Sequence, residues 1–311
     1  MSRYRNALPQ LDGGTFLADG GVETDLIFNQ GIEIPHFAAH TLLSDPESRE
    51  VLANYFRRYL RFARDHDAGY ILDSQTWKAH LHWAEDLGVT ERELREINHE
   101  SIRFISSLRD EFPGNNPIIL NAVIGPRGDA YAPEHDVAAH EAEDYHAMQI
   151  GWLAETEVDM VTALTFTQSD EAIGVVRAAS AAGLPVVISF TTETDGRLPN
   201  GENLSDAIRA VDAATDSKAS YFMVNCAHPD HFSHVLEDGD WSRRVRGLRC
   251  NASRRSHAEL DESETLDDGN PDELAAQYKS MVSTLPWVNV FGGCCGTDYR
   301  HIARIADIIA D

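Results

Sequence analysis

Lysine is nearly missing from this chain: among 26 basic residues only Lys78, Lys218 and Lys279 are lysines. The basic residues face 51 acidic ones, so the formal charge is −25. A surface of that sign repels phosphate backbones and anionic membranes, which argues against nucleic-acid binding. Apolar runs are short. None approaches the roughly 20 residues that cross a bilayer, and Met1-Ser2-Arg3-Tyr4-Arg5 is followed by no apolar signal segment. Cysteine is scarce as well, four in 311 residues, too few for a disulfide scaffold at this length. A cytoplasmic protein of a reducing compartment is expected, with no membrane association. Low-complexity tracts, short repeats and linkers are absent too. One domain over residues 1–311 follows, and a chain that is 42% hydrophobic has enough apolar material for a large core.

What is present is alternation. Short apolar runs at 15–18, 70–73, 117–123, 159–164, 185–190, 221–226, 245–250 and 287–291 read as strands. Between them, helical spacing marks 46–66, 90–111, 136–155, 169–182, 204–215, 271–285 and 299–309. Ser44 or Asp45 can cap the first of these helices, Thr90 to Glu93 resembles a capping box for the second, and Gly183 stops the fourth. Eight strands alternating with helices predict an α/β fold, a (β/α)8 TIM barrel, with a doubly wound open sheet as the other arrangement the pattern allows. The acidic, turn-rich stretch at 257–271 (HAELDESETLDDGNP) is expected to be an exposed insertion. A barrel carries its active site at the carboxyl ends of its strands, where Asp19, Asp73, Cys226, Cys250, Cys294 and Cys295 all fall.

Two of those strand ends carry unusual chemistry. The run from Trp287 to Phe291 leads into Gly292-Gly293-Cys294-Cys295-Gly296-Thr297, and the run from Tyr221 ends at Asn225-Cys226. Adjacent side chains on a regular strand point to opposite faces, so both Cys294 and Cys295 reach one point only if the backbone leaves the strand there, which the glycines permit. Three thiols at the ends of two strands suggest one metal site. Soft thiolates suit zinc, and a catalytic zinc keeps its fourth position for water or substrate. A thiol entering that position is deprotonated at neutral pH, where a free thiol of pKa about 8.5 is mostly protonated. The competing reading is three unrelated buried cysteines or a vicinal redox pair.

The chain resembles the homocysteine S-methyltransferase family through Leu17-Ala18-Asp19-Gly20-Gly21, Asn225-Cys226-Ala227-His228-Pro229 and the Gly292 to Thr297 block, which together span the expected barrel. The resemblance implies that Cys226, Cys294 and Cys295 bind zinc and that homocysteine joins through its thiolate. It implies also that Asp19, Gly20 and Gly21 hold the amino-acid end of homocysteine, a carboxylate meeting the ammonium and glycine N–H groups the carboxylate. Members of the family often carry a glutamate near the end of strand four. Here that region reads Ala163-Leu164-Thr165-Phe166-Thr167, and Thr165 offers a hydrogen bond without charge. Asp73, Gln75, Thr76 and Asn225 are further candidates for the polar shell, each equally suited to capping its loop. The methyl donor must be electrophilic, so S-methylmethionine, S-adenosylmethionine and betaine are the expected small onium donors, and Trp77 and Trp83 could flank such a cation. Methyl transfer to homocysteine, giving methionine, is the expected reaction. Two readings compete with it: a barrel metal-dependent hydrolase built on His80-Leu81-His82, and a noncatalytic zinc-binding protein in which Cys250 completes the shell.

Overall fold

A computed structural model describes residues 2–130, 137–263 and 265–310. Eight parallel strands close on themselves in sequence order: β1 Phe16–Leu17, β2 Gly69–Asp73, β3 Ile118–Ile124, β4 Met160–Phe166, β5 Val186–Phe190, β6 Tyr221–Asn225, β7 Val245–Cys250 and β8 Val290–Gly293. Closure falls to the shortest strand, since Phe16 pairs with Gly69 of β2 on one side and with Val290 of β8 on the other. The main helices are α1 Pro46–Asp65, α2 Glu91–Asp110, α3 Ala139–Ala154, α4 Ser169–Ala181, α5 Leu204–Ala214, α6 Pro271–Thr284 and α7 Tyr299–Ala310. The chain is therefore the expected (β/α)8 barrel. Asp136, the expected start of the third helix, lies outside the described residues.

Local chemistry accounts for the helix starts. Asp45 accepts from Ser48 N at 2.8 Å with Pro46 in the first turn of α1, and Thr90 and Glu93 form a reciprocal capping box on α2. Asn270 accepts from both Asp272 N and Glu273 N ahead of α6. Each cap satisfies N–H groups that a helix start leaves without partners and contributes about 1 kcal/mol.

Strand parity sorts side chains into two cores. Phe16, Ala18, Ile71, Ile119, Met160, Val187, Tyr221, Met223 and Val290 pack together as one cluster, the filling of the barrel. Their strand neighbours Leu17, Leu72, Leu120, Val161, Ile188, Phe222, Leu248 and Phe291 join the larger cluster against the helices. The N-terminal segment closes the lower end, where Leu8 joins the inner cluster and Asn289 Nδ2 donates to Gln10 O and Gly14 O at 2.9 and 2.8 Å. Following the inward parity upward, the apolar filling gives way to polar side chains: Asp73, Asn121, Thr162, Ser189, Asn225 and Arg249. A buried polar layer at the carboxyl ends of the strands is the floor of the site.

The acidic stretch 257–271 departs from a freely exposed insertion at its start. Ser256 and Glu259 form a capping box that opens a short helix at His257–Asp261, yet His257 itself is only 4% exposed. Glu259 and Glu262 are exposed, while Asp267 and Asp268 are half-buried. The anchored residue is the histidine.

Candidate metal centre and substrate pocket

Cys226, Cys294 and Cys295 are brought together above that polar floor, their sulfurs all within 4.8 Å of one another. Cys226 and Cys294 are joined as a disulfide with Cα atoms 5.4 Å apart, and Cys295 Sγ stands 3.9 Å from Cys226 Sγ. Sulfurs about 2.3 Å from a tetrahedral zinc stand roughly 3.8 Å apart, so the spacing of Cys226 and Cys295 fits a shared ion once the disulfide is reduced. Among the described residues this is the one group of three or more histidine, cysteine or acidic side chains that could hold a metal.

Backbone departures from strand geometry make the convergence possible. Cys226 follows β6 with φ +54°, a left-handed conformation uncommon in a residue with a side chain. Its carbonyl collects donors that hold this turn: Asn251 Nδ2 at 3.0 Å, Thr191 Oγ1 at 3.3 Å, and the His257 imidazole, whose Nε2 lies at 2.8 Å. Glu193 Oε1 lies 3.1 Å from the other ring nitrogen of His257. On the second strand end, Thr297 Oγ1 donates to Cys294 O at 2.7 Å. Gly21 packs directly on this loop, where a Cβ would stand 2.7 Å from Cys294 O, so only glycine fits. Cys250 sits outside the site. It is one residue beyond inward-facing Arg249, belongs to the outer core, is fully buried, and burial pushes its thiol up to about 12.

Arg249 organises the charges beneath the thiols, and sequence reading missed it. Its guanidinium pairs with Asp19 and Asp73 at once and donates from Nε to Gly293 O at 3.2 Å. Burial works against this cation, but Asp73 and Asp19 together hold its pKa above the ordinary value. Burial also lifts the Asp19 carboxyl to about 7, against the pull of Arg249 and with the help of Asp73. Tyr55 Oη donates to the second Asp19 oxygen at 3.2 Å, and Asn121 Nδ2 donates to the second Asp73 oxygen at 2.7 Å. The signal available in the sequence was an arginine inside an apolar strand, one position before an outward cysteine.

The other expected contact residues are largely engaged with the protein itself. Thr76 Oγ1 donates to Val123 O at 2.6 Å and is fully buried. Gly21 N donates to Thr297 O at 3.0 Å, while Gly20 lies against the Tyr59 hydroxyl. Asn225 Oδ1 accepts from Ser189 Oγ and Thr165 N at 2.6 and 3.0 Å, and its Nδ2 donates to Thr165 Oγ1 at 2.8 Å. The same Nδ2 points at Cys294 Sγ, 3.9 Å away, a contact that favours the thiolate. Gln75 Nε2 turns back to Asp73 O at 2.9 Å.

The sequence profile described as homocysteine S-methyltransferase matches residues 16–309, which takes in every strand and all three thiols. The chain belongs to that family. Among solved structures, it is similar to the homocysteine methyltransferase MmuM from Escherichia coli. The oxidized form matches at 18% identity with a TM-score of 0.72, covering 96% of this chain and 97% of that one. The metallated form matches at 16% identity with a TM-score of 0.70, covering 96% and 98%. At such identity the likeness is one of fold.

Two expectations read differently in this member of the homocysteine S-methyltransferase family. Trp83 already faces a cation: Lys78 Nζ lies 3.9 Å from its ring centre and donates to His36 O at 2.7 Å. The Trp77 indole N–H donates to Leu164 O at 3.0 Å, which fixes that ring as part of the wall. His80 and His82 gather no carboxylate or thiol partners into a shared ion site among the described residues, and His80 is buried with Nδ1 2.6 Å from Tyr145 Oη. No helix among the described residues is long and apolar enough to cross a membrane.

Proposed function

We propose that this protein methylates the thiolate of homocysteine, taking the methyl group from a small onium donor and releasing methionine. The observation that carries this reading is the open set of three thiols at the mouth of the barrel, with Cys250 turned away from it. In the reduced protein Cys226, Cys294 and Cys295 would hold zinc, which when bound lowers the pKa of a thiol that joins it and so supplies a nucleophile at neutral pH. The chain's own residues then have three tasks. The Asn225 amide steadies Cys294 as a thiolate, and the Glu193, His257 and Thr191 set holds the Cys226 turn. The paired charges of Asp19, Asp73 and Arg249 form a rigid floor against which the amino-acid end of homocysteine can be oriented.

Three protein thiolates leave the centre electron-rich, which suits an attacking sulfur better than polarisation of a carbonyl. S-methylmethionine, S-adenosylmethionine and betaine all carry the electrophilic methyl group that direct displacement needs. A donor cation reaching Trp83 must share or displace the place of Lys78. The test is spectroscopic. Cobalt-loaded protein titrated with homocysteine should change its absorption as a new sulfur ligand enters, and an unchanged spectrum at saturating homocysteine contradicts the proposal.

A further inference from the structure

The amino-acid end of the substrate needs an anion, and the two aspartates of the floor are already taken. Each oxygen of Asp19 and of Asp73 has a donor within the protein: Arg249 and Tyr55 for Asp19, Arg249 and Asn121 for Asp73. Thr165, at the end of β4, carries no charge and exchanges its hydrogen bonds with Asn225. One carboxylate at this end of the barrel differs. Glu23 stands two residues past Gly21, in the turn Val22–Thr24 that follows the first strand. Gly21 packs on the Cys294 carbonyl and Thr24 Oγ1 accepts from Gly296 N at 3.2 Å, so this turn is bound directly to the thiol loop.

The Glu23 side chain is partly buried and within electrostatic reach of Asp19, Arg249 and Lys78, yet no side chain among the described residues donates a hydrogen bond to it or forms an ion pair with it. Its own backbone N–H is the one hydrogen-bond donor that favours its ionised form, and burial raises its carboxyl above the ordinary value. Lys78 does not neutralise it at contact distance, because that ammonium is committed to His36 O and the Trp83 ring. A partly desolvated carboxylate without a partner is costly unless a cation arrives to meet it.

We propose that Glu23 receives the α-ammonium group of the amino-acid thiol whose sulfur enters the three-cysteine centre, and so selects an amino-acid thiol over a plain one. This assignment rests on the reading of the centre as a homocysteine site. The division of labour follows from the geometry: the Asp19, Arg249 and Asp73 set is an internal brace whose carboxylate oxygens all have side-chain donors within the protein, and Glu23 supplies the carboxylate without such a donor. An ammonium docked there also relieves the unfavourable proximity of Glu23 to Asp19, whose carboxyl Glu23 helps to raise.

The test uses cobalt-loaded full-length protein and two thiols that differ only in the amino group, homocysteine and 4-mercaptobutyrate. Wild type should bind homocysteine the more tightly. Glu23→Gln should weaken homocysteine by about 10- to 100-fold, the loss of one charge-assisted bond, with little change for 4-mercaptobutyrate and normal metal content. Glu23→Asp keeps the charge and should recover part of the loss, which a purely structural role would not produce. Equal affinity of wild type for the two thiols, or weakening of both alike in Glu23→Gln, overturns the assignment while leaving the thiol centre intact. No response of wild type to either thiol overturns the underlying homocysteine reading and this assignment with it.

Discussion

At the residue scale the most consequential group is Arg249. It is a buried cation set between two buried carboxylates, and its value lies in preventing Asp19 and Asp73 from facing each other uncompensated. Replacing such a partner leaves unpaired charge in a low-dielectric interior, which costs about 3–5 kcal/mol. Arg249→Met should therefore lower the unfolding free energy measured by urea titration by an amount of that order, and the combined Asp19→Asn, Asp73→Asn, Arg249→Met variant should regain much of it. A single variant as stable as wild type would mean that the aspartates take up protons at no cost. Residue identities were legible in the sequence where the chemistry is local. The paired thiols between glycines and the Asn225-Cys226 step point to a metal site without any fold, because few other arrangements use those residues so. Arg249 and His257 were not legible. Each matters only through a partner more than 20 positions away, Asp19 and Asp73 for one, Cys226 for the other.

At the scale of elements, strand parity decides which thiols can meet. Residues 247 and 249 of β7 face the lumen side, so Cys250 faces the helices, and its backbone N–H is held by Tyr278 Oη at 2.7 Å. Cys226 escapes the same rule because it lies past the end of β6 in a left-handed turn, and Cys294 and Cys295 because they follow the last residue of β8. Cys250→Ala should keep full zinc content, whereas alanine at 226, 294 or 295 should strip or greatly weaken the metal while the barrel stays folded, since its core does not depend on a metal. Metal analysis and circular dichroism on the four variants check this, and loss of zinc from Cys250→Ala would break the parity account. Helix boundaries fell within a residue or so of expectation at Pro46, Thr90 and Asn270 because cap chemistry is local. Strand ends were harder. The register of β4 against β5 shifts between Ala163 and Phe166, around Thr165 with φ +66°, and periodicity carries no sign of such an irregularity.

At the scale of the whole molecule, buried histidines tie stability to pH. His40 is 5% exposed with an unpartnered Nδ1, and burial lowers its pKa to about 4; burial also holds His80 well below the ordinary value. Unfolded histidines take up protons near pH 6.5, so both groups favour the native state fully above that pH and progressively less below it, His40 down to about 4. Asp19, lifted to about 7, works in the opposite sense, its preference for the native state fading as the pH rises through the same window. The clean readout is therefore a comparison. The stability of His40→Asn should fall less steeply than that of wild type between pH 6.5 and 4 in urea titrations, the difference approaching ~1.4 kcal/mol per pH unit. Parallel curves would show that His40 is protonated in the native protein.

The central claim is that the three-thiol mouth of this barrel methylates homocysteine, and product formation tests it most directly. Reduced, zinc-loaded protein would be incubated with homocysteine and, in turn, methyl-deuterated S-methylmethionine, S-adenosylmethionine or betaine, and methionine would be followed by mass spectrometry. Deuterated methionine should appear with at least one donor and vanish in Cys294→Ala. Absence of labelled methionine with every donor, from protein that retains its zinc, would contradict the account.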